Sequence, residues 1–327
     1  MIELYKELRQ YGKVKINEPL SKHTTFKIGG PADLFVIVDS TDSLVEVLKF
    51  LEGSGTAYFI LGGGSNMLVS DEGFRGVVIK VKAQHAEVEG ETVIADAGCI
   101  TVAIAQLSIQ HSLTGFEWGV GVPGTIGGAV RGNAGAMGGE MKDSVGKVEL
   151  FRDGEVITLA HDECEFGYRT SGIKKSGGVV LRVWLDLEKT EDKTGMKKAL
   201  EHLKYRNSTQ PKGYSSTGCI FKNVDIIPGP KGDKNRELLL THFDEQNEKI
   251  QQFLRVGKIS AGWLVEQAGM KGAQEGNALV SDVHGNFILN KGGATADEVI
   301  SLIENIKTKV YTKYGIEIEE EIQIVGR

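Results

Sequence analysis

The sequence predicts an α+β protein built in three parts, and three observations carry that expectation. A β-α-β pattern occupies the first eighty residues, a strand-rich stretch with one helix follows, and a long capped helix lies near the end. At 327 residues the chain has room for two or three modest domains. Its composition, 40% hydrophobic and 25% charged, suits a globular chain able to bury a core.

The elements follow in order. Leu34 to Val38 is a short apolar run, as expected of a buried strand. Ser40 or Thr41 can cap a helix with Leu44, Val47, Leu48 and Leu51 on one face, ended by Gly53 and Gly55. Tyr58 to Leu61 reads as a second strand and, after the loop at 62–66, Val77 to Val81 as a third. Strands near 86–95 precede a helix near 100–111. Segments 145–151, 155–159 and 179–187 are strand-like, and 197–206 is helical.

Residues 224–258 are charged and less periodic, apart from a helix around Ile250, Phe253 and Leu254. They read as a surface insertion, with a lid as the alternative. Thr295 and Glu298 form a capping box for a last helix striped by Val299, Leu302, Ile303, Ile306 and Val310. A final strand is expected from Ile316 to Val325. The boundaries are placed at 1–80, 81–208 and 209–314, with 315–327 returning to the first part.

Charge and cysteine usage exclude several classes. The net charge is −6, with no basic block to track phosphates, so no nucleic-acid partner is expected. No run of ~18 apolar residues is present to span a bilayer, and no secretory signal opens the chain, so the expectation is cytoplasmic, without a membrane partner. Cys99, Cys164 and Cys219 are too few and too widely spaced for a disulfide framework. His161 and Cys164 alone do not make a metal site, so no metal is expected.

Glycine is the anomaly: 43 of 327 residues, about 13% against roughly 7% on average. Gly62, Gly63 and Gly64 follow a strand directly, and Ser65 and Asn66 add side-chain donors, a pattern suited to an anion nest or to a tight turn. The spacing is not that of the Rossmann fingerprint. A second stretch carries Gly121, Pro123, Gly124, Thr125, Gly127 and Gly128, then Asn133, Gly135 and Ala136. It has few side chains able to pack a core. Backbone of that kind suits close approach to a flat or phosphorylated ligand. Two such segments in separate regions suggest one extended dinucleotide held between two subdomains.

At this point the sequence resembles a known family. The run His23-Thr-Thr-Phe-Lys-Ile-Gly-Gly-Pro-Ala32 is followed in order by Leu61-Gly-Gly-Gly-Ser-Asn66, by Gly121 to Gly128 with Asn133 to Ala136, and by Phe166-Gly-Tyr-Arg. Gly218-Cys-Ile-Phe-Lys-Asn223, Ala261-Gly-Trp-Leu-Val-Glu266 and Gly315 with Glu319-x-Glu321 complete the series. This order is similar to that of the UDP-N-acetylenolpyruvoylglucosamine reductases, flavoenzymes of peptidoglycan precursor synthesis. The resemblance implies a two-subdomain FAD-binding fold of the vanillyl-alcohol-oxidase (PCMH) type, here 1–80 and 81–208, plus a C-terminal α+β substrate-binding domain. The compact stretch from Phe166 to Leu187 looks like the type II branch of the family.

The resemblance further implies noncovalent FAD, NADPH as co-substrate and UDP-N-acetylglucosamine enolpyruvate as substrate, in a monomeric enzyme. The family reaction passes a hydride from NADPH to FAD and from flavin N5 to C3 of the enolpyruvyl group. Charge then develops at C2 and its carboxylate, which calls for fixed positive charge and a proton donor. Arg169 matches the carboxylate partner and Glu321 the acid that hydrogen-bonds or protonates the enolate. Cys219 stands where the family usually has serine. A thiol, with a reference pKa of roughly 8.5, is a competent proton donor to C2. Tyr168, Arg206, Gln210, Lys222 and Asn223 are implied as substrate or nicotinamide contacts. Two alternatives stay open: another FAD-dependent oxidoreductase of the same superfamily, and a flavin or nucleotide-sugar binding protein that lost catalysis through the serine change.

Overall fold

The structure, a computed structural model, describes residues 2–191 and 194–326. The chain forms two compact units that are not contiguous in sequence. The first runs through Pro19 and then takes Pro31–Gly64 and Phe74–Ser208. The second takes Leu20–Gly30, Ser65–Gly73 and the chain from Thr209 onward.

The first unit contains two larger sheets. One has the order Lys13–Pro19, Pro31–Val38, Phe74–Val81, Tyr58–Leu61. Its last three strands are parallel, because the helix Thr41–Gly53 carries the chain across between two of them. The expected cap is present: Ser40 Oγ accepts from the Ser43 N–H at 3.1 Å. The other sheet is antiparallel, in the order Glu155–Ala160, Val145–Arg152, Val179–Asp186, Thr92–Asp96, Ala86–Glu89. Leu34, Val36, Val77, Ile79, Val93, Val148 and Val183 belong to one buried cluster spanning both sheets.

The second unit is organised around the helix Ala296–Tyr314, whose capping box between Thr295 and Glu298 is formed as the sequence predicts. Asp71 adds a further bond, accepting from the Ala296 N–H at 2.8 Å. Two short stretches from early in the chain belong here for a packing reason. Phe26, Ile28 and Leu68 are buried with Leu264, Val299 and Ile303, and burying such a side chain is worth roughly 1.5–3 kcal/mol. Asn290 Nδ2 donates to the Phe26 carbonyl at 3.0 Å.

One expectation changes. The final strand covers only Gln323–Val325 and pairs in parallel with Met67–Val69, a strand too short to show periodicity. Residues 316–322 are irregular, although Ile316, Ile318 and Ile322 are buried. The insertion is ordered, with helices Pro230–His242 and Glu248–Val256 closed at the base by Val224–Asp225 pairing with Lys258–Ile259. No described helix is long and apolar enough to cross a membrane.

Candidate active site

The first glycine loop leaves the strand Tyr58–Leu61, and its glycines are explained by a close backbone approach. A Cβ on Gly63 would lie 2.5 Å from Gly124 Cα, so the two loops touch main chain to main chain. Thr125 packs over Gly62 and is buried. Lys80, on the neighbouring strand, donates its ammonium to the Gly62 carbonyl. Burial, and then the nearby Lys82, lower its pKa from the ordinary lysine value. Sequence reasoning passed over Lys80, although a lone lysine inside Val77-Val-Ile-Lys-Val81 is a visible signal.

The second glycine stretch forms the short helix Ile126–Gly132 and then a tight hairpin, Gly135–Ala136 against Gly139–Glu140. Gly127 is buried, while Gly128 and Pro123 are exposed. The Arg206 side chain lies against the backbone of Gly121, which joins an expected substrate residue to an expected cofactor loop. Asn133 is fully buried in the left-handed conformation. Its Nδ2 donates to Glu140 Oε2 at 2.8 Å and to the Gly167 carbonyl at 2.9 Å, and its Oδ1 accepts from the Lys142 N–H at 3.0 Å. Those bonds use its amide to hold the hairpin against the turn that carries Arg169.

That turn is closed by Gly167 and Thr170, whose N–H groups donate to each other's carbonyls at 3.0 and 3.1 Å. Tyr168 and Arg169 are its two central residues. Arg169 is left-handed, with φ of 56°, a conformation costing a non-glycine residue about 1–2 kcal/mol. Its Nη2 donates to the Gly135 carbonyl at 3.0 Å, and its guanidinium carbon lies 5.3 Å from the centre of the Tyr168 ring. A Cβ on Gly135 would press on Glu140 at 2.7 Å and on the guanidinium at 3.2 Å, so glycine there makes room for both. Strain held by surrounding bonds is frequent at functional sites.

In the second unit, residues 218–223 lie between two neighbouring segments. On one side Cys219 bridges Phe287, the Ile220 N–H donates to the Asn286 carbonyl at 2.9 Å, and the Phe221 N–H donates to Asn286 Oδ1 at 2.8 Å. On the other, Phe221 bridges Glu320, and the Glu321 N–H donates to the Ile220 carbonyl at 2.7 Å. Cys219 and Glu321, 102 residues apart in sequence, are thereby brought to adjacent backbones. Asn66 joins them: its Nδ2 donates to the Glu321 carbonyl at 3.1 Å. Thr217 fastens the same loop, accepting from the Met67 N–H at 2.9 Å and donating to the Ser65 carbonyl at 3.0 Å. Thr217 and Asn286 are buried positioning residues that the sequence reading missed, because neither carries a charge or a motif of its own.

Other expected residues divide by environment. Lys222 Nζ reaches Glu319 Oε2 at 3.3 Å, and Asn223 Oδ1 accepts from the Ala261 N–H at 3.1 Å. Gln210 is half-buried in the second unit. Cys219 is half-buried, whereas Cys99 and Cys164 are buried. Burial first, then Asp96, pushes the Cys99 thiol up to about 12; burial and then Glu163 push Cys164 up to about 11. Neither buried thiol is suited to exchange a proton with a ligand.

Comparison with known proteins accounts for this arrangement. An FAD binding domain profile matches residues 32–160. The profile of the UDP-N-acetylenolpyruvoylglucosamine reductase C-terminal domain matches residues 210–325. The fold and site therefore define an FAD-dependent oxidoreductase, with an α+β FAD-binding fold followed by a C-terminal α+β domain. A UDP-N-acetylenolpyruvoylglucosamine reductase from Caldanaerobacter subterraneus subsp. tengcongensis is 39% identical over 328 aligned residues, covering 100% of this chain and 98% of that one. The Bacillus subtilis enzyme of the same name is also 39% identical, covering 97% of this chain and 96% of its own. The crystal structure of this reductase from Thermus caldophilus superposes with a TM-score of 0.75 at 31% identity, covering 96% of this chain and 100% of that one. The chain belongs to the UDP-N-acetylenolpyruvoylglucosamine reductase family, flavin-dependent reductases of peptidoglycan precursor synthesis.

The first unit fits FAD by its own geometry. Gly132 has no positive φ, and nothing lies within 4 Å of where its Cβ would stand, so internal packing does not require glycine there. The space there leaves room for close approach of a ligand to the Gly132 backbone. Lys80 sets a desolvated positive charge on the carbonyl of the first glycine loop. Lys80→Met is expected to weaken FAD binding about tenfold, the loss of one charge-assisted bond. Flavin fluorescence released on dilution measures it, and an unchanged affinity would confine Lys80 to supporting the sheet.

Proposed function

We propose that Arg169, Cys219 and Glu321 carry the chemistry by which this reductase saturates the enolpyruvyl ether of UDP-N-acetylglucosamine enolpyruvate, giving UDP-N-acetylmuramate. FAD, when bound, relays a hydride taken from NADPH to C3 of the enolpyruvyl group. Negative charge then develops on C2 and the adjacent carboxylate. The Arg169 guanidinium, held by Gly135 and Tyr168, pairs with that carboxylate and opposes the charge. Cys219 holds a proton on Sγ and delivers it to C2. Glu321 hydrogen-bonds the same enolate. Tyr168, Arg206, Gln210, Lys222 and Asn223 bind the UDP-sugar or the nicotinamide.

The observation that carries this reading is the backbone pairing of residues 220–222, next to Cys219, with 319–321. It sets the half-buried Cys219 near Glu321, with Asn66 of the glycine loop bonded to the Glu321 carbonyl. The loops 62–66 and 121–136 bind the dinucleotide, and the UDP-sugar is held by 209–314. The enzyme works as a cytoplasmic monomer, where both of its substrates are dissolved, without a nucleic-acid, membrane or metal partner.

Anaerobic visible spectroscopy tests the reading. The flavin band is expected to bleach with NADPH and to return on addition of the enolpyruvyl UDP-sugar. A band that returns only with air would overturn the substrate and favour another oxidoreductase of the superfamily. Bleaching with no return under either condition would favour a binding protein.

A further inference from the structure

The insertion places one charged group beside the segment that carries Cys219. Lys231, in the first turn of the helix Pro230–His242, reaches Glu319 Oε1 at 2.5 Å. Lys222 reaches the other oxygen of that carboxylate at the longer 3.3 Å. Two ammonium groups therefore share one carboxylate. Hydrogen bonding from Lys231 is the foremost cause that holds the Glu319 carboxyl below the usual carboxylate range, with Lys222 contributing less.

The arm that presents Lys231 is fastened by packing. Leu239, Ile250 and Phe253 are buried in the core of the second unit. Phe253 and Phe243 lie 5.1 and 4.6 Å from the Trp263 ring, and Phe243 lies 5.1 Å from Tyr314 on the long terminal helix. At the base, Asn235 Nδ2 donates to the Asp225 carbonyl at 3.0 Å, and the Ile226 N–H donates to the Gly257 carbonyl at 2.9 Å. A segment anchored at both helices and at its base is an unfavourable design for a lid that must swing. It is a suitable mount for a side chain that must stay in one place.

We propose that Lys231 is a positioning residue: by occupying Glu319 it keeps the Lys222 ammonium available to an anionic group of the substrate. The inference rests on the substrate-binding role of Lys222 given above. Without Lys231, the carboxylate closes on Lys222 alone and competes directly with the substrate anion. With Lys231 in place, the carboxylate is engaged elsewhere. The residue sits in a segment that a plain surface insertion would leave without any part in turnover.

The test is a double-mutant cycle on the full enzyme with NADPH and the enolpyruvyl UDP-sugar. Lys231→Met is expected to raise KM for the sugar about threefold, the scale of an exposed ion pair, with kcat and melting temperature unchanged. Lys231→Arg should restore the wild-type KM. In the Glu319→Gln background, where no carboxylate competes for Lys222, Lys231→Met should leave KM unaltered. An equal rise in KM in both backgrounds would mean that Lys231 meets the substrate directly, and would overturn the positioning role. An unchanged KM in the single variant would overturn it as well. Failure of the underlying reading shows differently: Lys222→Met would then leave KM for the sugar at the wild-type value.

Discussion

Cys219→Ala is expected to lower product formation by about 10²–10⁴-fold while NADPH still bleaches the flavin at the wild-type rate. The reductive half-reaction needs no proton from position 219, whereas the second half cannot finish until C2 is protonated. Cys219→Ser should retain substantial turnover, since a hydroxyl in the same place can hold and release the same proton. Stopped-flow spectroscopy separates the two halves, and an alanine variant that forms product like the wild type would remove Cys219 from proton delivery. The serine variant should also resist peroxide better, because Cys99 and Cys164 are buried with raised pKa values and Cys219 is the accessible thiol.

Arg169→Gly is expected to lower the rate of sugar-dependent flavin reoxidation by about 10²–10³-fold, the scale of removing one preorganised partner of a developing anion. Its effect on stability should be small. Glycine accepts the left-handed backbone at 169 without strain, a gain of about 1–2 kcal/mol, set against one lost hydrogen bond to Gly135, about 1 kcal/mol, and a Tyr168 contact of about 0.5–1 kcal/mol. A melting temperature within a few degrees of wild type, beside a collapse in turnover, is the expected pair of results. A matching fall in both would make Arg169 a structural residue instead.

The parts of the fold that were legible in the sequence are those set by neighbours in the chain. The Ser40 cap, the strand Tyr58–Leu61 and the capping box at Thr295 each depend on residues within a few positions of one another. The helix Pro230–His242 was not legible. Its buried positions include Gly232 and Asn235, so it carries no apolar stripe, and its place is decided by contacts with Asp225 and with Tyr314. Met67–Val69 escaped for a related reason: three residues show no period, and its partner Gln323–Val325 lies at the other end of the chain.

The sequence by itself determined the chemistry proposed for this protein, because that chemistry resides in residue types. Arginine, cysteine and glutamate in an ordered series of motifs, and glycine where backbone must approach backbone or ligand, are properties of the chain before it folds. Only the tertiary structure decided how those residues are held. Asn133 spends its amide on Glu140, Gly167 and Lys142; Thr217 and Asn286 clamp the Cys219 segment; Lys231 shares Glu319 with Lys222. Several of these bonds join residues scores of positions apart. Their partners follow from the packing of whole elements, which no local pattern of hydrophobicity or spacing encodes.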